Sequence, residues 1–295
     1  MTVGAAAAAL RQELEKRCHF PGPDCPMDIA VSGGADSLAL LVLSTLSGRE
    51  VTAWHVDHGL RHGSAAEAEV VSAASERFGA RFRSVTVDVE PGSNLEARAR
   101  EARLRALPEN VATGHTADDQ AETVLINLMR GASTAGLAGM RAGCRHPLLD
   151  LRRSDTHRLC SEFGLEPVLD PSNFDLRYRR NLVRRHLLPL LSDLSGRDLV
   201  PLLARQAGLA AAESDFIDDL ASEIDCEDAS ALASSHPVLA RRAVRRWLSL
   251  SAEHPPSLAE VERVLAVARK DVRASQVSGG RTVRRSRGRL YFDAE

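Results

Sequence analysis

The sequence is poor in several features that would place a protein in a class at once. No apolar run approaches the roughly 20 residues of a helical membrane span. The opening stretch, MTVGAAAAALRQELEKR, has no basic segment ahead of its alanines and turns acidic and helical after them. It reads as an amphipathic first helix, not as a secretory signal. Cysteine is scarce: Cys18, Cys25, Cys144, Cys160 and Cys226 are odd in number, irregular in spacing and contain no C-x-x-C pair. Such a set makes no disulfide framework, and the expected compartment is the cytoplasm. Lysine is almost absent, with only Lys16 and Lys270. Arginine therefore carries nearly all the positive charge, and each arginine cluster must be discounted for composition before it is read as a binding surface. The Walker-type loop GxxxxGK[ST] is missing, and so is GxGxxG. There are no internal repeats.

What is present describes a globular chain. An apolar fraction of 44% and a charged fraction of 26% are ordinary for one, and 295 residues leave room for two domains. Net charge is −2, so the whole molecule is no electrostatic magnet for nucleic acid. Cationic residues nonetheless gather locally in the second half: Arg177, Arg179, Arg180, Arg184 and Arg185; Arg241, Arg242, Arg245 and Arg246; then Arg281, Arg284, Arg285, Arg287 and Arg289. Patches of this kind matter more than totals for binding RNA.

The first 130 residues alternate between strand and helix patterns. MDIAV, VTAWHVD, RFRSVTVDV and NVATG read as strands, and helices are expected over 37–47, 65–78, 95–107 and 117–130. Four βα units in succession predict an α/β fold with a doubly wound parallel sheet. Helix starts agree. Ser64 and Glu67, Ser93 and Glu96, Thr116 and Asp119, and Ser257 and Glu260 each set a hydroxyl three residues ahead of an acid, the capping-box spacing. After Gly131 the pattern breaks into a glycine-rich segment expected to wrap the sheet edge. A helix over 155–163 follows, then a basic segment in which Pro189 should bend or end a helix. SDLSGRD has linker composition, so a boundary is expected near residue 197. That gives a catalytic domain over 1–196 and a second, smaller, mainly helical domain over 197–295, with helices at 237–250 and 257–270 and an arginine-rich β-hairpin turning at Gly288.

The chemistry concentrates where strands give way to helices. Ser32-Gly33-Gly34-Ala35-Asp36-Ser37 lies at the carboxyl edge of the first strand, where open α/β sheets bind ligands. Its glycines permit close backbone approach, and free N–H groups at the helix start attract anions. A bare carboxylate at Asp36 repels phosphate unless it caps the helix or holds a bridging Mg²⁺. In ATGHTADDQAET, Asp118, Asp119 and Glu122 sit on the first turns of a helix. Asp119 has a capping task with Thr116, but three acids exceed what capping needs and suit Mg²⁺. His55, His58 and His115 have no cysteine at ligand spacing, which makes zinc a poor reading.

In order, SGGADS, HVDHGLR, GHTADDQAET, HPLLDL and DPSNFDLRYRRNLVRRHLLP resemble the PP-loop (N-type) ATP pyrophosphatases. Within that superfamily, the Arg180-Asn181-Leu182-Val183-Arg184 helix after GHTADDQAET is similar to the tRNA(Ile)-lysidine synthase branch. The specific motifs cover roughly 27–195. The resemblance implies that ATP sits on Ser32, Gly33, Gly34, Ala35, Asp36 and Ser37, with Mg²⁺ held by Asp36 and Asp119. It implies roles in catalysis for Asp36, Asp118, Asp119, Arg180 and Arg184, and an acid, Asp57 or Glu122, for the ammonium of free L-lysine. The implied partner is tRNA(Ile) with a CAU anticodon, and a homodimer is compatible. Longer members carry a further C-terminal domain with no counterpart here, which would shift the binding of tRNA onto what is present. Competing readings are tRNA 2-thiolation, which usually announces itself with C-x-x-C, an amide-forming synthetase, which needs an ammonia source, and a non-catalytic RNA-binding relative.

Overall fold

The computed structural model describes residues 4–57, 64–87, 102, 105–169, 174–250 and 254–293. It divides into two compact units, 1–209 and 210–295. The expected linker near 197 falls just ahead of a long helix that contains this division. In chain order the first unit holds α1 (Ala5–Glu15), β1 (Met27–Ala30), α2 (Ala35–Leu46), β2 (Val51–Asp57), α3 (Ser64–Phe78), β3 (Arg81–Thr86), α4 (Ala117–Met129) and α5 (Arg153–Glu162). A segmented helix α6 follows over 179–195, and then α7 (Val200–Ser222) begins.

The strands pair in parallel in the order β1-β2-β3, and Ala112 bridges Ile29 on the other side of β1, also in parallel. The fourth predicted strand is thus reduced to one bridge. Ala112 exchanges bonds with Asp28 and Ala30, both 2.8 Å, but the next residue turns away and Thr113 N donates to Arg145 O at 2.9 Å. Strand order therefore reverses beside β1, and the SGGADS segment leaves the sheet at that reversal. Of the helix expected over 95–107, residues 102, 105 and 106 are helical and the remainder up to 104 lies outside the described residues, as do the Ser93 cap and the HGLR half of HVDHGLR.

The core explains why these elements hold. In α2, Leu38 through Leu43 are all fully buried, so the helix is apolar around its whole circumference and serves as the centre of the unit. Ile29, Ala53, Val71, Leu148, Leu151 and Leu159 pack about it, and Leu10 and Leu14 of α1 close one side. Each such leucine contributes about 1.5–3 kcal/mol of burial. Gln120, buried in the first turns of α4, donates to the carbonyls of Ala138 and Met140 and accepts from Met140 N. That anchors the glycine-rich segment along the α4 side. Pro189 neither ends nor breaks α6: the helix changes register instead, with α turns at Arg179–Leu182, a π turn at Val183–Leu187 and α turns again at Leu188–Ser195. Proline cannot bond the carbonyl four residues back, and the wider π turn directly precedes it.

The second unit contains α8 (Ala229–Ser234), α9 (Pro237–Ser249), α10 (Leu258–Arg269), and an antiparallel sheet of β4 (Ala274–Gln276), β5 (Thr282–Ser286) and β6 (Arg289–Phe292). The expected hairpin is therefore the outer part of a three-stranded sheet. Its turn, Arg287-Gly288, has φ of 47° and 85°, the left-handed pair that a two-residue hairpin turn requires. The arginines of this segment do not form one stripe. Arg285 pairs with Leu290 on the same face as fully buried Val283 and donates to Ala268 O, whereas Arg284 and Arg289 lie on the opposite, exposed face with Tyr291. Alternation along a strand makes this unavoidable. Arg289 is further tied to Asp225 and Glu227, each at 2.8 Å, and Arg281 stacks over Phe292.

Two predicted capping boxes are present, at Thr116/Asp119 and at Ser257/Glu260. Glu260 also accepts from Ser278 N at 2.8 Å and from the Ser278 hydroxyl, linking the start of α10 to the loop after β4. Hydrogen bonds from Ser278 and Ser257 pull its carboxyl down from 4.5 to about 2. A depressed carboxyl stabilises the fold above its unfolded value, and that contribution is lost as pH falls through the folded one. Glu260→Gln should therefore melt earlier than wild type at neutral pH. The gap should close between about pH 4.5 and pH 2, read by thermal melts across that range.

Candidate active site

The site is built on the first unit, at the carboxyl edge of β1. Gly33 has φ of 85°, and a Cβ there would lie 3.2 Å from Val168 Cγ2. Ser37 Oγ accepts from Ser32 N at 3.1 Å and donates to Gly34 O at 2.9 Å, and the two serine hydroxyls lie 3.3 Å apart. Both serines thus brace the loop that turns into α2. The N–H groups of that helix's first turn have no acceptor within the helix, as at any helix start. His55 on β2 lies beside the loop: its Nδ1 is 2.9 Å from Val31 O, so Nδ1 must carry the proton. Its Nε2 is then an acceptor in the neutral ring, buried and without a hydrogen-bond partner among the described residues.

Gly114 does not stand out in the sequence, yet a Cβ on it would stand 2.6 Å from Asp36 O and 3.1 Å from Ser37 N. Only glycine lets the α4 approach segment lie against the loop. Beyond it, Thr113 Oγ1 is 2.6 Å from His115 Nδ1 and 2.9 Å from His146 Nδ1, with the two imidazoles edge to face.

Four arginines meet four acids around the loop. Asp118 accepts from Arg152 Nε at 3.0 Å and from Arg153 N at 2.9 Å, which fastens the start of α5 to α4. Asp119 turns one oxygen to Thr116, whose N and hydroxyl both donate at 2.9 Å. Its other oxygen faces Arg153 Nη2 at 3.0 Å, Arg180 Nη2 at 3.1 Å and Arg184 Nη2 at 3.5 Å. Glu122 is 0% exposed and accepts from Arg184 Nε at 2.6 Å, Arg180 Nε at 2.8 Å and Arg153 Nη1 at 3.3 Å. Asp36 accepts from the Thr156 hydroxyl, and Arg153 Nε is 3.5 Å from its other oxygen.

These surroundings set the two aspartates apart. Burial raises the Asp36 carboxyl above the ordinary range; Asp119 adds to the rise, while Thr156 and Arg153 oppose it. Burial pushes Asp119 the same way, but Arg153, Arg180 and His115 outweigh it and hold the carboxyl low. The difference bears on a metal. Asp36, 27% exposed at the head of an anion-seeking loop with one oxygen only loosely engaged, fits as a single hard ligand to Mg²⁺ whose remaining positions phosphates and water fill. Asp119 fits less well, since both its oxygens are taken and three guanidiniums surround it.

All five residues expected to act in catalysis are therefore brought together, and so is the loop. Arg180 and Arg184 reach the loop's vicinity through Asp119 and Glu122. Arg152, Arg153 and Thr156 were missed by sequence reasoning. Their one signal was position, directly after HPLLDL.

A PP-loop domain model matches residues 10–191, and a TilS substrate binding domain model matches 228–291. The tRNA(Ile)-lysidine synthase of Nocardia farcinica (strain IFM 10152) is 38% identical over 92% of this chain and 93% of its own. The chain belongs to the tRNA(Ile)-lysidine synthase family. The synthase of Mycolicibacterium paratuberculosis (strain ATCC BAA-968 / K-10) is 42% identical over 75% of this chain and 73% of its own. Among solved structures, the U34-tRNA thiolase NcsA from Methanococcus maripaludis with its [4Fe-4S] cluster has a TM-score of 0.56 at 17% identity, over 69% of this chain and 79% of that one. That likeness is one of fold alone, and the PP-loop assignment rests on the family model. As a tRNA(Ile)-lysidine synthase family member the chain is an ATP-using ligase, and none of its described helices is long and apolar enough to cross a membrane.

Proposed function

We propose that the protein joins free L-lysine to C2 of the wobble cytidine of tRNA(Ile) with a CAU anticodon, through an adenylated cytidine. The C2 oxygen attacks the α-phosphate of ATP and pyrophosphate leaves; the ε-amine of lysine then attacks C2 and AMP leaves. The observation that carries this is the pairing of a glycine-bent loop at the sheet's reversal point with a packed guanidinium–carboxylate cluster beside it. An in-line phosphoryl displacement is catalysed chiefly by fixed charge and positioning, and this site offers both. Asp36 would hold Mg²⁺ on the nucleotide's phosphates, where the ion neutralises developing charge. The lone pair of His55 Nε2 suits an amino or hydroxyl donor of the nucleotide. For the lysine ammonium, Glu122 with Asp119 is preferred over Asp57, since these acids adjoin the loop through shared arginines. The enzyme is taken to act in the cytoplasm, as a monomer or homodimer.

The deciding experiment is mass spectrometry of nucleosides from tRNA(Ile) incubated with protein, ATP, Mg²⁺ and L-lysine. A lysine adduct on cytidine that requires all components supports the reading; unmodified cytidine with AMP release overturns it. The 2-thiolation alternative is not favoured, because the five cysteines are scattered between the buried Cys160 and the exposed Cys25 and Cys144.

The second unit is the proposed tRNA-binding surface. If Arg284 and Arg287 face phosphates, Arg284→Ser with Arg287→Ser should weaken tRNA binding and flatten its salt dependence, by about 0.7–0.9 in log slope for each phosphate no longer neutralised. Arg285→Ser should instead lower the melting temperature and leave the slope unchanged, because its donor serves Ala268 O. Filter binding across a salt series measures both slopes, and a thermal melt reads the stability.

A further inference from the structure

Three nitrogens of one guanidinium in the cluster face three different carboxylates. Arg153 sets Nε 3.5 Å from Asp36, Nη2 3.0 Å from Asp119 and Nη1 3.3 Å from Glu122. Arg180 and Arg184 pair with Asp119 and Glu122 and not with Asp36. Arg153 is thus the cation that the nucleotide loop shares with the acid pair on α4. Its backbone is anchored apart from that fork through Arg153 N, which donates to Asp118, while Arg153 O and Asp36 share the single proton of the Thr156 hydroxyl. The side chain is therefore held at its base, while its head is divided between two ligand positions.

We infer that Arg153 is a positioning residue that couples occupancy of the nucleotide loop to the readiness of the Asp119–Glu122 pair for an ammonium ligand. The inference rests on the proposed function, in which the loop takes ATP and the acid pair takes lysine. Charge decides the direction. With three guanidiniums on two carboxylates, one of them shared with Asp36, the pair carries a partial excess of positive charge, which repels an ammonium. A triphosphate on the loop competes for Arg153, because a guanidinium fork complements phosphate oxygens well. Once Arg153 is drawn to the phosphates, two guanidiniums remain on two carboxylates and the excess is gone. Lysine then binds after ATP, and the amine nucleophile is recruited only where there is a nucleotide to activate its target. By linkage, lysine must tighten nucleotide binding by the same factor.

The test is equilibrium binding of L-lysine by isothermal titration calorimetry, without and with saturating Mg²⁺ and α,β-methylene-ATP. In the wild type, lysine affinity should rise by about 5–150-fold with the nucleotide present, the usual span of coupling between sites. In Arg153→Met that factor should fall to about one, with the nucleotide still bound; Glu122 keeps Arg180 and Arg184, so the cluster stays paired. Arg153→Lys retains the charge without the three-way fork and should also lose most of the coupling. Equal lysine affinity in both states of the wild type, lysine binding in neither state, or an unchanged coupling factor in both variants would overturn the inference. Failure of the functional reading shows separately, as absence of the lysine adduct from wobble cytidine.

Discussion

Asp36→Ala is expected to slow tRNA adenylation by about 10²–10³-fold and to leave the protein at least as stable as the wild type. The two halves of this result have one cause. Asp36 is half-buried at the head of the loop, held by the Thr156 hydroxyl on one oxygen and by only a long approach to Arg153 on the other, and burial raises its carboxyl above the ordinary range. A raised carboxyl binds its proton more readily in the folded state. The ionised group therefore subtracts stability at neutral pH, and the subtraction shrinks as pH falls toward the folded value. Removing it relieves that cost, and Arg153 keeps Asp119 and Glu122 as partners. The chemistry has no such reserve. If Asp36 organises Mg²⁺ on the phosphates, its loss removes about 3–4 kcal/mol of transition-state stabilisation, a fall of about 10²–10³ in rate. Adenylate formation without lysine, followed with labelled ATP, reads the chemical step, and a thermal melt reads the fold. Near-normal adenylation in the variant would reduce Asp36 to a residue of the first turn of α2. A large drop in melting temperature would mean that its bonds to Thr156 and Arg153 are structural.

The scaffold of this site was legible because local rules govern it. β1, β2 and the helices after them are set by apolar periodicity, and the Thr116 and Ser257 caps by three-residue spacing. The fourth strand was overstated because its apolar residues match a strand, while its backbone pairs only at Ala112 before turning to Arg145. β4 was missed because Ala-Ser-Gln has no alternation to read. Arg153 was hidden for another reason. Its partners come from two helices far away in sequence, and in a chain this rich in arginine one more guanidinium carries little information. Gly114 was passed over because nothing local shows that α2 would begin 2.6 Å from the Cβ it lacks. Pairings between distant segments are fixed by topology, and periodicity records only the segments.

Glu122→Ala should be the most destabilising single change in the first unit's polar network. The carboxylate is fully buried, and its two oxygens accept from three guanidiniums: Arg153, Arg180 and Arg184. Taking it away leaves those cations with Asp119 as the acid they all share, and Asp119 already spends one oxygen on Thr116. Breaking a buried ion pair by deleting one partner costs about 3–5 kcal/mol, because the remaining charge stays desolvated and unpaired. For a unit of this size that is on the order of 10 °C in melting temperature. Glu122→Gln keeps the volume but turns an amide N–H₂ toward guanidinium donors, so it should recover only part of the loss. Sulfate supplies a distinguishing check. Three guanidiniums stripped of their acid make an anion site, so sulfate should raise the melting temperature of Glu122→Ala more than that of the wild type, beyond its general stabilising effect. If Glu122→Ala melts within a degree or two of the wild type and gains nothing extra from sulfate, the arginines have turned to water on their own. In that case the cluster is a solvated surface network, and the charge excess that makes the acid pair hostile to lysine does not exist.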